Sequence, residues 1–329
     1  MRVLLVGRSR ERDIEQRIRH ALLRAGHEAT LVDERRPRYA LGPWLGNEVG
    51  GAWLRARFAA FHPEFMILGK PLGIPVRVLG DLCARVPAVM WYRDLRVPPD
   101  ADIVARARQV DTLFLTAGGQ APLFEAAGVR RALYLPDGVD PELDRPLEPT
   151  PEFECDVAYI GSGDPYRAAF LEKVARRFRL KTFGRRWEPW AEQVGWTGRE
   201  AHHDDFGRVC ASARIVLGVE RGFHREALVA GYSSNRMWRV VVAGGFYLGY
   251  AAPGVRDLLR DGEHCVFYND DQQALDLIGR YLADDAASER IRAAGRRFVL
   301  EHHTLDARLH NLLTMSPFVN PLAAGDHDG

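Results

Sequence analysis

Lysine is nearly absent from this sequence of 329 residues. Only three of its 45 basic residues are lysines, so the other 42 are arginines. A planar guanidinium group suits anionic ligands better than an ammonium group does, so we expect some of these arginines to bind one. The 44 acidic residues leave a formal net charge of +1. That balance excludes a generally basic nucleic-acid-binding protein.

Cysteine is scarce as well, and long apolar runs are absent. The four cysteines include no CxxC pair, so neither a zinc ribbon nor a disulfide framework is predicted. The pair His202-His203 precedes two aspartates, but neighbouring side chains on a helix diverge by about 100°, so we expect no metal there. No apolar run reaches the roughly 18 residues of a membrane span. The first residues are typical of a strand rather than a signal sequence, which predicts a cytoplasmic protein.

Short apolar segments alternate with longer segments of helical periodicity. The predicted strands are 3–7, 29–32, 65–68, 88–92, 112–115, 132–135, 156–161, 180–183, 215–219, 246–248 and 265–267. These segments lack polar alternation and are separated by helical patterns, which indicates parallel sheets covered on both faces. We therefore predict an α/β protein with two doubly wound, Rossmann-like domains that face each other across a cleft.

A proline-rich segment marks the boundary between the two domains. Residues 140–151 contain four prolines, which neither a helix nor a central strand tolerates. The predicted organisation is an N-terminal domain at 1–143, a linker at 144–155, a C-terminal domain at 156–315 and a tail at 316–329. In open parallel sheets, ligands bind beyond the carboxyl ends of the strands, so a phosphate-bearing ligand is expected.

Two segments of the second half have the composition of an anion site. Gly161 and Ser162 follow a predicted strand, and Arg167 falls in the first turn of the next helix. An ordinary turn between strand and helix explains this segment equally well. In the other, Ser234 and Asn235 are N-cap residues that precede Arg236. An arginine at a helix start opposes the helix dipole unless an anion compensates it, which favours a binding role.

Two further strand ends supply weaker candidates. At the first, Gly184 allows close approach, Arg185 could reach a phosphate and Trp187 could stack on a planar ring. A surface arginine beside a core tryptophan explains the same residues equally well. At the second, Asp94 ends an N-terminal strand and could accept a proton from an acceptor hydroxyl, although such an aspartate is more often a helix cap.

Taken in order, several segments of the second half match a known family. They are 156–162 with Arg167, Phe183-Gly184 with Trp187, Ser234-Asn235-Arg236, 243–246, Pro253-Gly254, 262–268 and 301–309. In this order they resemble the CgeB-like (spore-maturation-protein-type) glycosyltransferases of the GT-B fold. Trp91 with Asp94, and residues 135–140, resemble the family's first half less distinctively.

The resemblance implies a transferase that moves a sugar from a nucleoside-diphosphate donor to an unidentified acceptor, which could be a glycan, a protein or a small molecule. The donor would be held by Gly161, Ser162, Arg167, Gly184, Arg185, Trp187, Ser234, Asn235 and Arg236. Arg236 would stabilise the leaving diphosphate and Asp94 would face the acceptor. Neither a metal nor another cofactor is implied, and no nucleic acid is an expected partner.

The sequence departs from the family pattern at one informative position. Relatives often carry a glutamate three residues after the arginine of Ser-Asn-Arg, where it would bind the donor ribose, but here that residue is Arg239. Glu220 and Glu226 do not form the Glu-x7-Glu pair of many retaining relatives either. Two alternatives therefore stay open, a non-catalytic nucleotide-sugar-binding or partner module and a GT-B sugar epimerase.

Overall fold

A computed structural model of the chain describes residues 1–10, 13–219 and 231–322. These residues form two compact units, each built around its own parallel sheet. The first unit contains residues 1–137 and 305–319, and the second contains most of the remaining described residues. The two parallel α/β sheets predicted from the sequence are confirmed.

The first unit carries a six-stranded sheet with the order β2-β1-β3-β4-β5-β6. Its strands are β1 (Arg2–Gly7), β2 (Glu28–Asp33), β3 (Phe65–Leu68), β4 (Ala88–Tyr92), β5 (Thr112–Leu115) and β6 (Ala132–Tyr134). All its pairings are parallel, with Leu5 opposite Leu31 on one side and Ile67 on the other. The strand order reverses direction between β1 and β3, where a doubly wound sheet opens its ligand crevice.

Most of the helices described in this unit bury apolar side chains in the core clusters beside the sheet. These helices are α1 (Ile14–Arg24), α2 (Arg36–Leu41), α3 (Pro43–Phe61), α4 (Val76–Cys83), α5 (Ala101–Ala107) and α6 (Ala121–Ala126). Among them, α2 buries no side chain. In α1, Ile14, Ile18, Ala21 and Leu22 are buried, and their spacing is that of one face of an amphipathic helix.

The second unit carries a five-stranded sheet with the order β11-β10-β9-β7-β8. Its strands are β7 (Cys155–Ile160), β8 (Leu180–Phe183), β9 (Ala213–Gly218), β10 (Tyr247–Tyr250) and β11 (Val266–Tyr268). Its helices are α7 (Pro165–Ala175), α8 (Asp204–Ser212), α9 (Asn235–Val242), α10 (Asp271–Leu282) and α11 (Asp285–His302). The order reverses between β7 and β9, so this sheet too opens a crevice where those two strands end.

The last helix, α12 (Leu305–Thr314), belongs to the first unit. Leu309 and Leu312 are buried in the same core cluster as Val3 of β1. Arg308 is buried as well, and its Nε donates a hydrogen bond to the Pro136 carbonyl oxygen over 2.9 Å. Chain order alone predicts this segment to be part of the C-terminal domain at 156–315, because it directly follows α11. Residues 323–329 of the predicted tail lie outside the described residues.

All four cysteines are free and buried. Burial raises the pKa of Cys83 to about 12 and that of Cys155 to about 11. A buried thiol that stays protonated at neutral pH is a poor nucleophile, so these side chains serve as core packing.

Candidate active site

The loops that follow β7 and β8 are joined by hydrogen bonds beyond the carboxyl ends of the strands. The Gly161 amide donates to the Phe183 carbonyl oxygen and the Gly163 amide donates to that of Arg185, each over 2.8 Å. A Cβ on Gly163 would lie 2.1 Å from the Arg186 carbonyl oxygen, and one on Gly184 would lie 2.0 Å from that of Gly161. These two glycines are therefore required for the loops to pack against each other.

Gly161 opens the space that an arginine occupies. A Cβ at this position would lie 2.8 Å from an Nη atom of Arg236 and 2.6 Å from the Tyr159 hydroxyl. The Arg236 guanidinium carbon lies 4.6 Å from the centre of the Tyr159 ring, and the same Nη atom donates to the Tyr159 hydroxyl over 3.3 Å. Arg236 is thus held beside the end of β7, at the point where the strand order reverses.

Trp187 holds Tyr159 and Gly161 in place. Its ring meets that of Tyr159 edge to face at 5.7 Å, and its Nε1 donates to the Gly161 carbonyl oxygen over 2.8 Å. The side chain is fully buried. A nucleotide base would need an exposed ring face, which Trp187 does not offer, so its role here is to fix Tyr159 and Gly161. The core position, one of the two interpretations of this tryptophan, is what the structure shows.

The helix starts at α7 and α9 differ in charge. Asp164 caps α7 by accepting from the Arg167 amide over 3.1 Å, so a carboxylate already lies at that terminus. Ser234 caps α9, and its neutral hydroxyl accepts from the Arg236 amide over 3.2 Å. An incoming phosphate would be repelled by Asp164, whereas at α9 the cap is neutral and both the helix dipole and the nearby guanidinium would attract it. Electrostatics therefore favour α9, whose first residue is Asn235.

The side chain of Arg167 donates hydrogen bonds to backbone carbonyl oxygens of the same unit. Its Nε donates to the Val219 carbonyl oxygen over 3.2 Å and an Nη atom donates to that of Ser162 over 3.0 Å. The same Nη atom lies 3.3 Å from the Asp164 carboxylate. Arg167 consequently ties the segment after β7 to the segment after β9. Ser162 itself is exposed.

Arg185 lies on the surface of the second unit. Its side chain is 64% exposed, and its Nε lies 3.1 Å from a carboxylate oxygen of Glu200. Glu200 also pairs with His202, which the sequence analysis weighed as a metal ligand. Among the residues that the structure describes, no cluster of three or more potential metal ligands is found.

Part of the second half of the chain matches a known protein family, and the whole chain resembles solved structures. Residues 167–314 match a family model described as "Glycosyl transferase-like". Sucrose-phosphate synthase from Thermosynechococcus elongatus is 14% identical with a TM-score of 0.67, over 95% of this chain and 98% of that one. Anabaena HepE in complex with UDP-glucose is 10% identical with a TM-score of 0.69, over 96% and 100%. A T4 phage BGT mutant in complex with UDP-glucose is 10% identical with a TM-score of 0.59, over 97% and 100%.

The chain carries a glycosyltransferase-like domain. The family match confirms the predicted enzyme class, a glycosyltransferase, and the structural likeness confirms the GT-B fold. The search of curated proteins found no match. Of the helices described, none combines the length and apolar character needed to cross a membrane.

Arg239 of this glycosyltransferase has a partner inside its own unit. Its Nε lies 2.7 Å from a carboxylate oxygen of Asp144, whose side chain is only 1% exposed. Its guanidinium carbon also lies 3.9 Å from the centre of the Phe206 ring. The arginine therefore compensates a buried aspartate of the proline-rich segment, a contact that sequence position alone does not indicate. Glu220 and Glu226 lie outside the described residues.

Replacing Arg239 by glutamate should destabilise the protein rather than restore a ribose contact. The new carboxylate would face Asp144 in a buried position, and breaking such a pair costs about 3–5 kcal/mol. Denaturant unfolding of the variant measures the loss. Arg176→Glu is the matched control, because it places a glutamate beside Glu172 on the exposed surface of α7, where less than about 1 kcal/mol is expected. Unchanged stability together with tighter donor binding would instead support a ribose contact.

The carboxylates at the carboxyl edge of the sheet in the first unit include Asp94 and Glu15. Asp94, just after β4, is half exposed, and its carboxylate accepts from the Lys70 ammonium over 2.5 Å. Glu15, in the first turn of α1, is buried, and its side chain lies against Gly7 and Gly69 at the ends of β1 and β3. Glu15 therefore occupies the point where the strand order of the first sheet reverses.

Glu15 is the functional candidate that sequence reasoning missed. Burial raises the pKa of its carboxyl group, and the charge of Arg93 partly opposes that effect. A small cavity is lined by both of these side chains together with Gly69 and Trp91. In the sequence, Glu15 is one polar residue among the many of an amphipathic helix. Only its burial at the edge of the sheet distinguishes it.

Proposed function

We propose that this glycosyltransferase binds the diphosphate of a nucleotide-sugar donor at the start of α9 and transfers the sugar without a bound metal. The main support for this proposal is the position of Arg236. Its guanidinium lies over Tyr159, where the strand order of the second sheet reverses, and beside the N-terminus of α9, whose cap is neutral. A guanidinium group beside a helix N-terminus suits a diphosphate, because the group donates hydrogen bonds and the helix dipole favours negative charge. Gly161 supports the proposal by leaving room for this arginine.

The transfer step needs a group that stabilises the leaving diphosphate and a group that takes the acceptor proton. In the transfer step, the bond between the anomeric carbon and the diphosphate oxygen breaks, and an acceptor hydroxyl oxygen bonds to that carbon. The electron pair of the broken bond leaves on the diphosphate, where Arg236 and the amides at the start of α9 stabilise it. Ser234 and Asn235 orient the same group. Gly184, Arg185 and Ser162 stay predicted donor contacts.

For the group that takes the acceptor proton we propose the carboxylate of Glu15. A general base works best when its pKa lies near the working pH, and the raised pKa of Glu15 moves it in that direction. Asp94 stays the sequence-based candidate for contact with the acceptor, although one of its oxygens already accepts from Lys70. We further propose that the enzyme belongs to the CgeB-like subgroup and acts in the cytoplasm.

A thermal-shift panel tests the donor site. The probes are the UDP-, GDP-, ADP- and dTDP-sugars, and UDP-glucose comes first because it is bound in the structures named above. A ligand at 100 times its dissociation constant should raise the free energy of unfolding by about 2.7 kcal/mol. We expect a shift with one base, unchanged by EDTA and lost in Arg236→Ala but kept in Arg176→Ala. A shift that requires added magnesium would contradict the metal-free proposal, and no shift with any probe would contradict the donor site.

A further inference from the structure

Exposed apolar side chains are concentrated in one segment of the first unit. Within the described residues, the 39–49 surface combines five of them, which are Tyr39 (69% exposed), Leu41 (46%), Trp44 (80%), Leu45 (47%) and Val49 (39%). Scattered apolar side chains are normal on a protein surface, but a contiguous group that includes an almost fully exposed tryptophan indicates a binding surface.

The packing of α2 and α3 explains why these side chains lie outside. A Cβ on Gly46 would lie 2.4 Å from the Cα of Arg38, so the two helices approach closely through a glycine. The buried residues of α3 are Gly46, Gly50, Gly51 and Leu54. Near its start, the inward face of α3 is therefore made mainly of glycine and its large apolar residues face outward, whereas Trp53, Phe58 and Phe61 farther along pack against the core. The exposed apolar residues near the start of α3 take no part in that core, which favours a partner outside this fold.

The charge of the segment identifies the kind of partner. Residues 35–47 contain Arg35, Arg36 and Arg38 but no aspartate or glutamate. The side chain of Arg36 is 74% exposed, compared with 23% for Arg35. The Nε of Arg36 lies 3.5 Å from a carboxylate oxygen of Asp33. The flanking acidic residues are engaged, Glu34 by Arg35 in the interior and Glu48 by Arg77. Arginine beside exposed tryptophan and tyrosine is the composition that binds anionic lipid surfaces.

The position of the surface fits the same partner. Strand β2 ends at Asp33, and α2 begins at Arg36, so the segment leaves the sheet at the carboxyl ends of its strands. Glu15 and the cavity beside Arg93 lie at that same edge. A bilayer that contacts the 39–49 surface would therefore approach the edge that holds Glu15 and this cavity.

From these observations we propose that the 39–49 surface docks on an anionic lipid bilayer. Trp44 and Leu45 enter the interface between headgroups and acyl chains, and Arg36 contacts the lipid phosphates. The proposal does not depend on the donor site, because every residue it uses lies in the first unit.

Vesicle co-sedimentation tests the docking surface. The probes are vesicles of phosphatidylcholine alone and vesicles that contain phosphatidylcholine and phosphatidylglycerol in equal amounts. We expect the full chain to bind the anionic vesicles, less so in high salt, and to bind the neutral ones weakly. Trp44→Glu should weaken binding by about tenfold or more, because it removes the largest apolar group and adds a repelled charge. Val319→Glu is the control, since Val319 is 75% exposed but lies far along the chain from the surface.

Two further measurements distinguish lipid binding from misfolding and from self-association. Circular dichroism and thermal unfolding of Trp44→Glu should match the parent chain, because the replaced side chain is exposed; the comparison removes misfolding as an explanation. Equal sedimentation of parent and Trp44→Glu would overturn the proposal. So would light scattering that shows a dimer which Trp44→Glu dissociates while vesicles stay unbound, because the surface would then be covered by a second copy of this chain.

Discussion

Replacing Arg236 by alanine should lower kcat by about 100-fold, the loss expected when a group that stabilises a developing oxyanion is removed. The guanidinium lies over Tyr159 beside the end of β7, so its loss leaves the leaving diphosphate with helix amides alone. Release of UDP from UDP-glucose, with water or an acceptor, measures the rate. The donor dissociation constant, measured in the same samples, separates weaker binding from slower chemistry.

Two companion variants of Arg236 make the result specific. Arg236→Lys keeps a positive charge but loses the flat face on Tyr159 and the hydrogen bond to its hydroxyl, so we expect an intermediate loss. Arg176→Ala removes an exposed arginine of the same unit and should leave the rate unchanged. If Arg236→Ala turned over at the parent rate with a true donor, Arg236 would have no part in the transfer. Donor that binds but is never consumed would favour the non-catalytic module instead.

Replacing Glu15 by glutamine should separate activity from stability. Loss of a general base lowers kcat by about 100- to 10,000-fold, while donor binding, which belongs to the other unit, should stay unchanged. Asp94→Asn, measured beside it, shows which carboxylate takes the proton, and Glu28→Gln serves as an exposed control in the same unit. A larger loss in Asp94→Asn than in Glu15→Gln would return the role to Asp94. Loss of donor binding in Glu15→Gln would indicate that the substitution disturbs the fold.

At neutral pH, Glu15→Gln should raise the free energy of unfolding although it lowers the activity. The pKa of Glu15 is raised in the folded state from an ordinary value of 4.5, so the folded state binds this proton more tightly than the unfolded chain does. This contribution to the free energy of unfolding is present at low pH and is lost as the pH rises through the raised pKa. Glutamine cannot ionise, so Glu15→Gln should be more stable than the parent at neutral pH and similar to it near pH 4.5. Denaturant unfolding at the two pH values measures the difference.

Much of the architecture could be predicted from local sequence. The strand segments β3, β4, β5 and β8 have the predicted bounds, because a short apolar run between helical patterns has few other structures available to it. The cap at Ser234 was also predictable, since a serine before a helical segment satisfies a helix amide wherever the helix lies in the fold. No local pattern predicts the order of the strands in each sheet, so the place where that order reverses could not be predicted either.

The site shows where local patterns stop being informative. The sequence predicts Gly161, Arg167 and Arg236 alike as donor ligands, and only the structure shows that Arg167 donates to Ser162 and Val219 while Arg236 lies on Tyr159. Whether an arginine serves the protein or an anion depends on which carbonyl oxygens lie within reach, and those belong to residues distant in the sequence. Trp187 illustrates the same limit, because burial of its ring is a property of the packed core.

By itself the sequence determined the elements, their parallel arrangement in two sheets, and the enzyme class carried by its second half. Each of these depends on residues close together in the chain or on motifs in a fixed order. The tertiary structure alone decided that α12 joins the first unit, that Arg239 compensates Asp144, and that Glu15 is buried at the edge of a sheet. The physical reason is the same in each case: burial and charge pairing depend on groups that only folding brings together.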